Sequence, residues 1–229
     1  GFFFSWQVRM YQWDFGILWS YRWLFLNGLG VTVGFTIAIV ILGLLVGLLA
    51  GLAKLSRFAP LRWIAHAYIE VFRCTPVLVQ LIWFYYAMPI LTGVEMSAVT
   101  ASILGLSLYG GSFYAEIIRG GIVSIDPGQK EAGLALGMTP FQAMRRIVLP
   151  QALKRMVPPL MNQSIIQFKN TSLVSVLAVP DLVYQGQIAA HDSFRPLEIY
   201  TAVAIIYFVF LFPLTIIVRQ GEKKLATSD

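Results

Sequence analysis

Residues 131–150 read EAGLALGMTPFQAMRRIVLP. This stretch is polar, helix-prone and basic, and it lies between two strongly apolar blocks. Leu134, Leu136, Met138, Phe141, Met144 and Ile147 give it an apolar stripe, and Lys130, Arg145, Arg146, Lys154 and Arg155 surround that stripe with positive charge. A short helix bearing such a stripe can lie in the groove of a partner protein. The bland alternative is a surface helix that only caps the end of a bundle.

Outward from this stretch the chain reads as membrane. Hydrophobic residues make up 58% and charged residues 12% of the sequence, against about 25% charged in ordinary soluble domains. The apolar runs are long enough to cross a hydrocarbon layer, which takes about 20 helical residues. They are continuous rather than alternating, which argues against a β-barrel. The expected class is an all-α integral membrane protein, a polytopic helical bundle in the lipid bilayer. The net charge of +6 fits the collection of Lys and Arg on the cytoplasmic side better than a nucleic-acid partner. A lone cysteine, Cys74, excludes an internal disulfide and a cysteine-based metal site. His66 and His191 are too isolated to argue a metal or haem. The sequence opens at Gly1 without Met, so a short leader is expected before it, and Gly1–Ser5 is too short for a signal peptide.

Residues 1–23 are rich in Phe, Trp and Tyr and read as an interfacial segment, lying flat at the headgroup level. The transmembrane domain is expected over residues 24–220, followed by a cytoplasmic tail at 221–229. The first span covers about 24–53. Its Gly30-x3-Gly34 and Gly43-x3-Gly47-x3-Gly51 spacings put glycines on a helix face, where a neighbouring backbone can approach closely. The second is read as one long helix over 61–91, kinked at Pro76. The third runs over 98–120. A cytoplasmic loop over about 126–150 then holds two helices, capped by Asp126 before Pro127 and by Thr139 before Pro140, with Gly137 between them. Pro158-Pro159 is expected to bar a helix before Leu160, so the fourth span is placed over 160–179. Residues 180–198 are read as an outer segment, and 199–218 as the fifth span.

Five crossings with the N-terminus outside place the C-terminus in the cytoplasm. Lys54, Arg57, Arg62, Arg73, Arg119, Lys130, Arg145, Arg146, Lys154, Arg155, Arg219, Lys223 and Lys224 then lie at the cytoplasmic side. Arg9, Arg22 and Arg195 lie outside, and Lys169 lies within a span. That asymmetry supports the five-span orientation.

Glu131, Ala132, Gly137, Ile147, Leu149 and Pro150 fit the spacing EAA, three residues, Gly, nine residues, I-x-L-P, with Gly133 in the third place of EAA. This resembles the cytoplasmic coupling loop in the membrane subunit of ATP-binding cassette (ABC) importers. Phe72-Arg73-Cys74-Thr75-Pro76-Val77-Leu78-Val79-Gln80-Leu81 resembles the FRGTPLLVQL segment of polar amino-acid ABC permeases. Tyr109 to Gly121, Leu149 to Leu153, Pro158-Pro159, Asn162-Gln163 and Lys169 to Val176 continue the likeness over most of residues 25–220. The resemblance implies a five-helix importer domain in the bacterial inner membrane. It implies a second permease, identical or sister, an extracytoplasmic substrate-binding protein and a separate ABC ATPase that carries the ATP and Mg. It also implies that Glu131, Ala132, Gly133, Gly137, Met138, Phe141, Ile147, Leu149 and Pro150 couple to that ATPase. Two departures stand out: Cys74 replaces a common glycine, and Asn170 replaces an aspartate often seen after the lysine. Loss of that carboxylate weakens the case for a cationic cargo.

Polar groups inside a bilayer are costly unless paired or facing water, so they mark candidate sites. The fourth span carries Asn162, Gln163, Gln167, Lys169, Asn170 and Thr171. Asn162 and Lys169, seven apart, share a helix face. That face is expected to line a path for a zwitterionic or anionic amino acid, with Glu70 and Arg73 near the Pro76 bend as further candidates. Alternatively Lys169 pairs with Glu70 or Glu116 and only locks helices together. Glu70 with Arg73, and Glu116 with Arg119, sit one turn apart and could form local ion pairs.

The chain carries no G-x4-G-K-[ST] phosphate loop, nucleophile elbow, dinucleotide fingerprint or metal-ligand spacing. It is expected to be a non-catalytic subunit with no cofactor of its own, moved between inward- and outward-open states by its partner. An ion-coupled secondary carrier is the alternative, though such carriers usually show more spans and inverted repeats. A membrane enzyme would need clustered ligands or catalytic groups that are not present.

Overall fold

The structure, a computed structural model, describes residues 11–226. The reading of residues 1–10 as interfacial lies outside them. Helices are α1 (Ile17–Ser20), α2 (Arg22–Lys54), α3 (Ala59–Cys74), α4 (Val77–Thr92), α5 (Ala98–Val123), α6 (Pro127–Ala135), α7 (Pro140–Ala143), α8 (Leu149–Asn170), α9 (Leu182–Ser193) and α10 (Pro196–Ala226). A π-helical turn, Met144–Val148, joins α7 to α8, and a 3-10 segment, Thr171–Leu177, follows α8. Among the described residues, α2, α5 and α10 are long and apolar enough to cross a membrane by themselves. Two bent pairs, α3 with α4 and residues 140–177 with α9, bring the number to five if each counts as one span.

The bundle is organised on α2 against α5. At Gly47 a Cβ would stand 2.5 Å from the Tyr114 Cβ, and at Gly51 2.8 Å from the Ala115 carbonyl oxygen. Only glycine lets the two backbones approach this closely. Gly30 and Gly34, read as part of the same stripe, face open space. The working glycine in that half is Gly28, whose Cβ position lies 2.9 Å from the Leu182 Cα on α9. Phe35, Ile39, Leu81, Leu106, Val174, Leu177 and Val179 close the core between α2, α4, α5 and the 3-10 segment.

The second span is not a kinked helix. α3 and α4 meet at 108°. Pro76 drives the residue before it out of helical geometry, and Thr75 is extended at φ −102°, ψ 134°. The carbonyls freed by the break are met within the protein: Gln80 Nε2 donates to the Phe72 and Thr75 oxygens, both at 2.8 Å. Backbone groups at membrane depth need such partners.

Pro158 and Pro159 do not start the fourth span either. α8 begins at Leu149 and passes through both. Their rings cannot donate to the carbonyls four residues back, at Lys154 and Arg155, which lie in an exposed turn, so the interruption is inexpensive. The regular helix stops at Asn170 instead, and the 3-10 segment ends at Ala178, which is left-handed at φ 56°.

Residues 182–193, read as part of an outer segment, form α9 and pack back into the bundle. Leu182, Gly186, Ala189 and Ala190 are buried, and Leu182, Ala189 and Ala190 share a core with Phe25, Ile199 and Val203. Asp181 caps α9, accepting from Tyr184 N at 2.8 Å. The last helix runs on to Ala226, so the described part of the tail expected from residue 221 is helical.

Residues 11–16 are not helical and strap onto the start of α10. Tyr11 OH donates to Glu198, Asp14 N donates to the same carboxylate at 3.0 Å, and Arg195 Nη1 reaches Gln12 O at 2.7 Å. Tyr21 OH donates to Asp192 at 2.5 Å. Donation to these carboxylates holds both phenols above their usual range.

Candidate functional site

Two regions carry the residues singled out by sequence. The first is the loop between α5 and α8. Asp126 caps α6, accepting from Gly128 N at 2.7 Å. α6 ends in a left-handed glycine, Gly137, at φ 83°. Gly137 N donates to Leu134 O at 3.0 Å and Met138 N to Gly133 O at 3.1 Å, the paired bonds of a Schellman cap. Thr139 and Gln142 then form a reciprocal capping box on α7. A helix of nine residues and one of four are thus joined by a defined turn, capped by the side chains of Asp126, Thr139 and Gln142.

The apolar stripe divides in two. Ile147 and Met138 turn inward beneath α6: a Cβ at Gly133 would lie 2.7 Å from Ile147 Cδ1 and 3.5 Å from Met138 Sδ. At Gly133, the third EAA place, the absence of a side chain leaves room for Ile147. Leu136 and Phe141 point out, 82% and 70% exposed. Glu131, Ala132, Leu149 and Pro150 are also exposed. The loop is pinned to the bundle where Arg155 Nη1 donates to Ser124 O at 2.5 Å. Ile118, Ile125, Val148, Ala152 and Met156 form the core beneath it.

The second region is α8 above Pro159. Asn162, Ile166 and Lys169 share one exposed face, as their spacing predicts. The opposite face binds α5. Gln167 Nε2 donates to the Leu106 carbonyl at 2.9 Å and is wholly buried. Gly110 makes this possible, because a Cβ there would stand 2.0 Å from Gln167 Nε2. Ser164 and Tyr114 hydroxyls meet at 2.9 Å. Asn170 is half-buried and donates to Gln167 Oε1 at 3.0 Å. Thr171 is buried and donates to Phe168 O at 2.6 Å, so it stands behind the exposed face rather than on it.

Lys169 pairs with neither Glu70 nor Glu116, and no salt bridge to it occurs among the described residues. Glu116 is taken: Arg119 Nη2 lies at 2.9 Å and Lys54 Nζ at 2.7 Å. The Glu116–Arg119 pair is as spaced, while the Lys54 partner, on another helix, was invisible to local spacing. Glu70 does not pair with Arg73. It faces His66, 3.8 Å away, and the Arg73 guanidinium lies 5.4 Å above the Phe113 ring. Gln167 was legible only as one polar residue among several, and the signal for its role was a glycine on α5.

Residues 43–227 match the binding-protein-dependent transport system inner membrane component family. The chain belongs to that family. It is a permease subunit of an ABC importer, a multi-pass membrane component that is not catalytic, and ATP is hydrolysed by a separate partner. The permease is 41% identical over 168 residues to the glutamine transport system permease GlnP of Escherichia coli K12, covering 71% of this chain and 77% of that one. It is 36% identical over 207 residues to the arginine transport system permease ArtQ of Bacillus subtilis, covering 89% and 93%. It is 34% identical over 224 residues to the glutamate/aspartate import permease GltK of Escherichia coli O6:H1, covering 95% and 100%. The fold matches a crystal structure of an amino acid ABC transporter with histidines at a TM-score of 0.88 and 38% identity, over 93% of this chain and 100% of that one. An inward-facing MetNI methionine transporter matches at 0.70 and 23% identity, over 88% and 98%, a likeness of fold. None of these likenesses supports a secondary carrier. Membership in the family implies an ATPase, a substrate-binding protein and a second permease as partners of the importer.

Proposed function

We propose that the permease carries a polar amino acid, zwitterionic or anionic, along the α8 face of Asn162 and Lys169. The observation that carries this reading is Lys169 itself. It is exposed on α8, two positions from Gln167, whose side chain is hydrogen-bonded on the opposite face to α5, and among the described residues no carboxylate pairs with it. Such a cation cannot face lipid without a large cost, so it faces water, cargo or the second permease. A substrate carboxylate is its natural partner. Asn170, held by Gln167, offers an amide where a carboxylate would attract a cationic side chain. Glu70 and Arg73, flanking the α3–α4 break, line the approach, and buried Thr171 holds the α8 terminus in place. The named cargoes of the relatives, glutamine, arginine and glutamate/aspartate, support an amino acid as the class.

The same reading places Glu131–Pro150 in the cytoplasm, gripped by the ATPase through Leu136 and Phe141. Gly133, Gly137, Met138 and Ile147 keep the loop rigid, so that motion of the ATPase reaches α8 through Leu149 and Pro150. The N-terminus is outside, in keeping with the distribution of Lys and Arg. Uptake by the assembled importer tests the path. Lys169→Met should abolish or strongly weaken uptake of glutamine and glutamate while leaving complex assembly intact. Unchanged uptake and affinity would remove Lys169 from the path.

A further inference from the structure

The first candidate span begins at Arg22, and a groove of about 620 Å³ opens beside it between α2 and α10. Its mouth is formed by Trp19, Arg22 and Trp23, and its floor by Leu26 and Leu29 of α2 with Ile205 and Ile206 of α10. Trp19 and Trp23 are 73% and 64% exposed, at the depth where tryptophan favours the headgroups. The Arg22 guanidinium lies 4.5 Å from the Trp19 ring centre and 5.7 Å from that of Trp23. Its Nη1 donates to Trp19 O at 2.6 Å, which fixes the fork in place.

Arg22 forms no salt bridge among the described residues. The acids at this end of the bundle are engaged elsewhere: Asp14 Oδ1 accepts from Gly16 N, Asp192 accepts from Tyr21, and Glu198 accepts from Tyr11, Asp14 N and Arg195. A guanidinium presents five donors in a planar fork, and such a fork matches the oxygens of a phosphodiester. A single cation at headgroup depth over a wholly apolar floor is the pattern of a phosphate over an acyl chain. A protein segment filling the same groove would have to bring a carboxylate to that depth.

We propose that this groove is a phospholipid site: the lipid phosphate sits on Arg22 between the two indoles, and one acyl chain lies along Leu26, Leu29, Ile205 and Ile206. None of these residues belongs to the α8 face or to the loop, so the site stands apart from the cargo path. The whole importer, reconstituted in phosphatidylglycerol nanodiscs and then extracted into detergent, is weighed by native mass spectrometry to read the lipid it keeps. Wild type should retain phosphatidylglycerol. Arg22→Ala should lower retention by about fivefold, the worth of one cation near a lipid surface. Ile205→Trp, at an exposed position, fills the floor, leaves Arg22 in place and should lower retention as well. Millimolar inorganic phosphate should not displace the lipid, since it has no chain to fill the floor. Equal retention in wild type and Ile205→Trp overturns the site even if Arg22→Ala does not fold. Displacement by phosphate, or a crosslink from a cysteine at position 205 to a second copy of the chain, overturns it too.

Discussion

At the scale of single residues, the Gln167 contact between α8 and α5 depends on one missing methyl group. Gln167 can reach the Leu106 carbonyl only because position 110 has no side chain. Gly110→Ala forces the amide away, strains the pair and leaves buried polar groups unmet. Overpacking of this kind costs about 1–3 kcal/mol, so the detergent-solubilised importer should melt several degrees lower. Gly30→Ala is the control, because its Cβ would meet nothing within 4 Å and alanine is favoured over glycine in a helix by about 1 kcal/mol. Its melting temperature should hold or rise. If the two variants melt alike, the close approach at Gly110 does not govern packing. The sequence treated Gly30 and Gly34 like Gly43, Gly47 and Gly51, because spacing records a face but not what that face touches.

At the scale of elements, the loop is where local chemistry decided most. Asp126, Thr139, Pro127, Pro140 and Gly137 signalled both helices and the turn between them, and the structure uses each as expected. Caps and left-handed turns depend on a few adjacent residues, which is why they could be read. The angle between α3 and α4, the passage of α8 through Pro158-Pro159, the 3-10 segment and the return of α9 could not. Each depends on which carbonyls are met by a distant donor or left exposed, and that is set by tertiary contact. The same local logic gives a prediction. Gly137→Val places a branched side chain in a left-handed conformation, at a cost of about 1–2 kcal/mol. The loop should loosen, so that transport-coupled ATP hydrolysis falls while the permease still reaches the membrane in normal amount. Full coupling in Gly137→Val would show that the left-handed turn is not needed.

At the scale of the whole molecule, the ends of α2 and α5 are clamped by Lys54, Glu116 and Arg119, and the start of α8 is tied to the end of α5 by Arg155 and Ser124. These ties join the wall of the bundle to the segment between α5 and α8. Glu116→Gln keeps the shape but removes the charge that holds both cations. It should lower stability by about 1–3 kcal/mol, seen as a lower melting temperature with the fold retained. The account as a whole rests on one topological claim, that Leu136 and Phe141 stand in the cytoplasm against the ATPase. Photo-crosslinkers placed at these two positions in the assembled importer, in sealed vesicles of known orientation, test it directly. The account predicts crosslinks to the ATPase, lost when either residue is made aspartate. Capture of the extracytoplasmic binding protein, or labelling of these positions from the outer side, would contradict it.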